Sequence, residues 1–488
     1  MVQTGTVRVN GGGVFEIDPA NAEVAIQAAI DTLGTNGGVL DFAPAAVTYQ
    51  FSGAVTIPAT LSNVIINGGG STFAFNGATS LYGWRVRSAN TTFRGCRFED
   101  TAASSLGTGT RRIVSIEDNA VDMASNTTKF LDCYFKVTLA TQIMHDYQCI
   151  SVLGNSDTNA LMRRGLVVTG CTFVAGVNSV PNQRFATGVV PNGITFIRTE
   201  NSGSTFIHSN EFRGDIGSST LTDGTGDPLD TIQVNATVAS GTSMDWKSSG
   251  GSLNGVIQAG STFTVAGDAT VYKVTKLGTA NGTTVTVNFW PTLAVQADLN
   301  DAVTVTLTSA YGHVASAIHL IDHNQSIVRD NVFTFLSTQA AASGEGGALI
   351  YSETDEGESG HSKVASNLFE DVDAWWVVRV EGLGSYANRW MNVEFNDFGR
   401  IIPKCEAVVS YSMGGACKVI GNSFHNIGGG PHGTVDTNGY PIDLLNCRTV
   451  LIDLNVGSIM DTTESLYHDS GGNQNIRYGQ GNVLEWDY

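Results

Sequence analysis

Residues 351–361 read YSETDEGESGH and place four carboxylates, Glu353, Asp355, Glu356 and Glu358, within six positions of a chain whose charged fraction is 15%. Such a density points to acid–base chemistry, to a cation, or to a loop kept wet. Six segments share an apolar start and an alternating pattern: IVSIE (113–117), ITFIR (194–198), IHLID (318–322), LIYSE (349–353), VVRVE (377–381) and VVSYS (408–412). Their fifth positions are Glu117, Arg198, Asp322, Glu353, Glu381 and Ser412. When positions two and four of a strand face a core, positions three and five face solvent; His319 and Ser352 interrupt that alternation. The pattern predicts an acidic column of Asp322, Glu353 and Glu381 on three consecutive strands. Asp355, Glu356 and Glu358 then fall on the glycine-punctuated loop that follows.

Carboxylates on neighbouring parallel strands lie ~5 Å apart, and those two strands apart ~9 to 10 Å. Glycoside hydrolysis uses a pair at ~5 Å for retention, or at ~6.5 to 9.5 Å with a water between for inversion. Like charges this close raise one pKa, which supplies a protonated general acid. Asp322, Glu353 and Glu381 are the expected catalytic residues. Around them stand groups suited to a sugar: Tyr351, Arg379, His319, Trp375, Trp376 and Trp390. Aromatic faces pack on the apolar faces of sugar rings, and Arg engages carboxylated or sulfated units. Two adjacent Trp on a strand face opposite ways, and Trp375 and Trp376 are also read as core or trimer-interface residues. Two other uses of the column stay open, non-catalytic glycan binding and a solvated ladder that discourages edge pairing.

Residues so placed need elements that repeat, and the chain has a repeat. An apolar residue, two residues, Asn or Cys, one residue and Phe recur as FRGCRF (93–98), FLDCYF (130–135), VTGCTF (168–173), IHSNEF (207–212), VRDNVF (328–333), VASNLF (364–369), VEFNDF (393–398) and VIGNSF (419–424). A motif recurring every few tens of residues is the mark of a solenoid, each coil adding short strands to continuous parallel sheets. Asn suits a left-handed bend and can hydrogen-bond along its column, while the Phe points inward and stacks. Cys96, Cys133 and Cys171 occupy the Asn column in the first coils and read as small buried thiols. Seven Cys without CxxC spacing indicate neither a disulfide framework nor a zinc site. The anchors are 37, 38, 39, 121, 36, 29 and 26 apart. The gap of 121 holds one ordinary coil and an insert at 222–309, whose TIQVNATV, STFTVAG, TVYKVTKLG, TTVTVNFW and AVTVTLT read as short antiparallel strands. Residues 1–221 and 310–488 form the two parts of the solenoid, a helix over IDPANAEVAIQAAIDTLG covering its first coil, with Asp18 as cap and Pro19 at the first helical position.

The net charge of −19 disfavours nucleic acid and anionic membranes as partners. No apolar run reaches the length of a membrane span, and the start lacks the basic and apolar regions of a signal peptide, so a soluble protein made in a cytoplasm is expected.

The helix followed by GGVLDFAPAAVTYQFSGAVTIPATLSNVIINGGG resembles the N-terminal region of the pectate-lyase-like, right-handed parallel β-helix superfamily. The matching features are Gly37 to Pro44, Tyr49 and Ile65 to Gly70, while Asn21 to Glu23 replace that family's DDT. The insert is similar to a small β-domain common in tailed-phage virion proteins, through Gly260, Phe263, Gly267, Tyr272, Val274, Pro291 and Leu293. Together the resemblances imply an all-β fold, a right-handed parallel β-helix with a short N-terminal capping helix and an inserted antiparallel β-domain. They further imply a bacteriophage tailspike-type homotrimer of the virion, joined to other tail proteins, that binds and depolymerises a bacterial surface polysaccharide. Hydrolysis by the acidic column needs no cofactor. Polysaccharide lyases on this fold instead abstract a proton beside a uronic carboxylate, often with calcium, and Arg379, His319 and the acids of 353–358 could serve that chemistry. A catalytically silent receptor-binding or structural fibre is the third expectation.

Overall fold

The protein was analysed as a computed structural model, which describes residues 5–9, 13–43, 47–75, 81–100, 110–117, 126–137, 147–153, 164–176, 194–214, 221, 232–257, 261–274, 278–306, 312–338, 347–354, 360–372, 374, 376–382, 391–401, 407–412, 415–427, 440–459 and 466–485. Trp375, Trp390, Asp355, Glu356, Glu358 and Cys405 lie outside the described residues.

Coil after coil adds one strand to each of three long sheets, of 14, 12 and 11 strands among the described residues. Ser362–Ala365, Leu368–Val372 and Trp376–Gly382 make one such coil, each strand pairing in parallel with its counterparts in the coils before and after. Among the described strands of these three sheets, only the first two, Gly5–Val9 and Val14–Ile17, run antiparallel, at one end of the 14-stranded sheet. The fold is a right-handed parallel β-helix.

The repeat explains its own stacking. The Phe of each motif falls in register with the next, and from Phe98 through Phe135, Phe173, Phe212, Phe333, Phe369 and Phe398 to Phe424 the ring centroids lie 4.6–5.0 Å apart. This is the strand spacing itself, so each ring rests on its neighbour at the distance the backbone ladder sets. Beside it, Asn210, Asn331, Asn367, Asn396, Asn422, Asn455 and Asn482 pass a side-chain hydrogen bond from Nδ2 to the next Oδ1 at 2.9–3.1 Å. The left-handed bend expected of Asn belongs instead to the residue before it: Ser209, Asp330, Ser366, Phe395 and Leu454 have φ of 55–56°. The Asn column is therefore selected for hydrogen bonding rather than for its backbone. Asn455 and Asn482 extend it beyond the eight copies of the motif, because Gly457 and Leu484 stand in the Phe column there. Cys96, Cys133 and Cys171 are buried thiols at its start.

The helix spans Ala22–Asp31 and buries Ala22, Ile26, Ala29 and Ile30. Asp18 caps the preceding turn rather than the helix, accepting the Ala20 N–H at 2.9 Å. Val24 lies on the side of the helix away from the core and is exposed. Gln27 donates to the Thr56 carbonyl at 3.0 Å and accepts its N–H at 2.8 Å, so the helix satisfies the Val55–Ile57 strand that edges the 11-stranded sheet. Between Gly214 and Gly312 the described strands form a six-stranded sheet from Ile232–Val234 to Val303–Thr306 and a two-stranded one of Val256–Ile257 and Gly278–Thr279, antiparallel throughout, with a core of its own around Trp246, Phe263, Tyr272 and Phe289.

Candidate functional site

The outward surface of the 11-stranded sheet carries the acidic residues, and its local geometry decides which of them meet. Every coil bends there with two consecutive inward residues, such as Ala317/Ile318, Leu349/Ile350, Val377/Val378 and Val408/Val409, all in the core. Beyond that bend the alternation resumes. His319 pairs with Tyr351, Tyr351 with Arg379 and Arg379 with Ser410, while Ile321 pairs with Glu353, Glu353 with Glu381 and Glu381 with Ser412.

This corrects the expected column. Asp322 is not in it. Its place beside Glu353 is taken by Ile321, and Asp322 lies past the end of the strand at φ 45°, buried, its N–H bonded to the Glu353 carbonyl at 3.0 Å. Arg198 likewise belongs to the His319 column. The doubled inward position shifts the apparent start of each strand, which an alignment on apolar starts does not register. Glu117 sits at the far end of the face, held between Arg85 at 2.7 Å and Arg87 at 2.8 Å.

Five of the expected residues do converge. His319 Nε2 lies 2.9 Å from Glu353 Oε2, with both side chains 17% exposed. The His319 ring stacks on Tyr351 at 4.7 Å and 20°. Tyr351 Oη donates to Glu381 Oε2 at 2.6 Å, and Arg379 Nη2 donates to Glu381 Oε1 at 2.7 Å. The Arg379 guanidinium lies 4.0 Å over the Trp376 ring. Trp376 itself is buried against Ala348 and Tyr351, so it supports Arg379 from beneath rather than presenting a face to solvent.

Electrostatics separates the groups. Burial pushes the Glu353 carboxyl up, but the His319 hydrogen bond and the charges of His319, Arg198 and Arg379 outweigh it, leaving Glu353 below the usual carboxylate range. Repulsion between neighbouring acids therefore does not hold Glu353 protonated. Burial, then the charges of Glu353 and Glu381, hold the Tyr351 phenol above its usual range. The arrangement thus offers a carboxylate suited to accept a proton or attack, and a phenol that keeps its own. Behind the face His323 is wholly buried, bridging Ser352 Oγ at 2.7 Å and Ser362 Oγ at 2.9 Å. No group of three or more metal-ligating side chains occurs among the described residues.

A scan against protein-family models and a search of characterised proteins found no match. Solved structures similar to the chain include the A-module of the mannuronan C-5 epimerase AlgE6 of Azotobacter vinelandii, at 9% identity over 96% of this chain and 94% of that one, TM-score 0.45. The endo-xylogalacturonan hydrolase of Aspergillus tubingensis matches at 8% over 96% and 91%, TM-score 0.38. The tailspike of E. coli bacteriophage HK620, solved with a pentasaccharide, matches at 12% over 97% of this chain and 65% of its own, TM-score 0.31. The right-handed parallel β-helix itself is read from the chain's own three long parallel sheets.

Proposed function

We propose that the protein binds and depolymerises a bacterial surface polysaccharide, as a tailspike-type homotrimer of a phage virion made in the host cytoplasm. The observation that carries this reading is the pair Glu353 and Glu381, in register on adjacent rungs and set among Tyr351, His319 and Arg379. Rungs ~4.8 Å apart put the two carboxylates near the separation of a retaining pair. Glu353, kept ionised, is the base or nucleophile. Glu381, which accepts the Tyr351 hydrogen bond at 2.6 Å, is the second carboxyl of the pair, the acid that in its protonated form gives its proton to the leaving oxygen. Arg379 faces an acidic sugar unit.

The test is release of reducing ends from a panel of purified bacterial capsule and O-antigen polysaccharides. Glu353→Gln and Glu381→Gln each lower turnover by about 100-fold or more. Asp322→Asn, outside the column, leaves it within about twofold. Near-normal rates for both glutamine variants on a polysaccharide that the wild-type protein cleaves would remove the pair from the mechanism. A polysaccharide that is bound and never cleaved would leave a receptor-binding fibre.

One observation favours a second reading. The His319–Glu353 hydrogen bond orients an imidazole as a general base, and Tyr351 holds a proton beside it. With Arg379 on a uronic carboxylate, these groups fit β-elimination, with or without calcium. Products absorbing near the ultraviolet edge, and loss of activity in chelator where calcium takes part, distinguish elimination from hydrolysis.

A further inference from the structure

The columns that carry the Glu353 and Glu381 rungs continue toward the C-terminal end and build a second polar cluster. Arg379 is followed in register by Ser410, Asp443 and His468, and Ala407 by Tyr440. The intervening strand, Ala407–Ser412, places Ser410 and Ser412 at the register positions of Arg379 and Glu381. Asp443 stands between the fully buried Ile442 and Leu444, which turns its carboxylate outward, yet its side chain is only 4% exposed. Its Oδ1 accepts from Ser470 Oγ at 2.6 Å and lies 3.0 Å from His468 Nδ1. The Tyr440 and His468 rings are stacked at 4.3 Å and 6°, and His468 is 43% exposed.

This is not a nucleophile triad. Ser470 and Asp443 meet the same imidazole nitrogen, and the serine proton goes to the carboxylate, so no base stands on the hydroxyl.

We infer that Tyr440, Asp443, His468 and Ser470 form a distal sugar-binding subsite for a glycan laid along the helix axis, and that this subsite takes an uncharged, hydroxyl-bearing pyranose. The inference rests on the depolymerase reading and gives it a substrate class. The stacked ring pair offers an aromatic surface to the apolar face of a sugar. A carboxylate has about four acceptor positions, and two donors leave room for sugar hydroxyls. The subsite's own acid is Asp443, so a uronic unit meets repulsion here, whereas Arg379 attracts one. Asp443 is two rungs from Arg379, ~9.6 Å, a span of about two pyranose units. The polymer that fits both ends carries an acidic residue at Arg379 and a neutral one at Tyr440.

The experiment measures binding of the wild-type protein, Tyr440→Ala, Tyr440→Phe and Asp443→Asn to an immobilised panel of bacterial capsule and O-antigen polysaccharides, with folding checked by circular dichroism. Tyr440→Ala and Asp443→Asn are expected to weaken binding about tenfold while Tyr440→Phe retains it. A panel polysaccharide bound equally by the wild-type protein and by both weakened variants overturns the subsite and leaves the depolymerase reading standing. A wild-type protein that binds no member of the panel overturns both.

Discussion

Glu353 is held below the usual carboxylate range by its hydrogen bond to His319 at 2.9 Å. Its strand, its outward direction and its pairing with Glu381 follow from alternation and hold in the register. That His319 would be its hydrogen-bond partner does not follow, because the doubled inward position moves His319 onto the outward face and Asp322 off the column. His323 carries a second consequence at this scale. Burial, reinforced by the charge of His319, pushes its pKa down to about 3 from the usual 6.5. A group whose folded pKa is depressed stabilises the fold above its unfolded pKa, and that stability is lost as pH falls toward the folded value. Glu353, also depressed, acts in the same direction in a lower range. The protein should therefore lose about 3 kcal/mol between pH 7 and pH 4.5 through His323 alone. Denaturant titrations across that range check it. His323→Gln is expected to flatten the slope below pH 6, and a slope unchanged by it would place the acid sensitivity elsewhere.

Among the elements, the Phe and Asn columns were legible because each is one residue type at one position of a recurring motif. Asn455 and Asn482 were not, since the aromatic half of the signal is missing from their coils. The Asn ladder also makes each coil depend on the next, as in other solenoids. Asn367 donates to Asn396 Oδ1 and to the Val328 carbonyl, and its Oδ1 accepts both Asn331 N–H groups, all at 2.9–3.0 Å and fully buried. Asn367→Leu strands those donors and acceptors in an apolar interior, and should lower the unfolding free energy by about 3 to 5 kcal/mol. Cys133→Ser, in the same column, replaces a weakly bonding thiol and should cost under about 2 kcal/mol. Urea midpoints of the two variants test the contrast, and equal losses would mean that the ladder adds nothing beyond packing.

Across the whole molecule, the long gap between motifs coincides with a six-stranded antiparallel sheet, and the coils on either side of it stay in register with each other. Asn210 bonds Asn331 across 121 residues at 2.9 Å, and Phe212 stacks on Phe333 at 4.7 Å, the same contacts that join coils without an insert. The chain leaves and returns at one point: a Cβ placed on Gly214 would lie 2.3 Å from the Gly312 backbone nitrogen, so only glycine fits where the two segments cross. A segment with its own core, entered and left at adjacent points, can be removed without stretching the coils on either side. Replacing residues 222–309 with about six Gly/Ser residues should leave a β-helix that melts within about 5 °C of the parent, with reducing-end release from a cleaved polysaccharide unchanged. Circular dichroism melts and the release assay on the shortened protein decide this. A collapse in melting temperature would show that the insert braces the coils on either side. Full stability with lost cleavage would make it part of the glycan site. Retention of both would show that the insert serves neither the stability of the coils nor the cleavage proposed above.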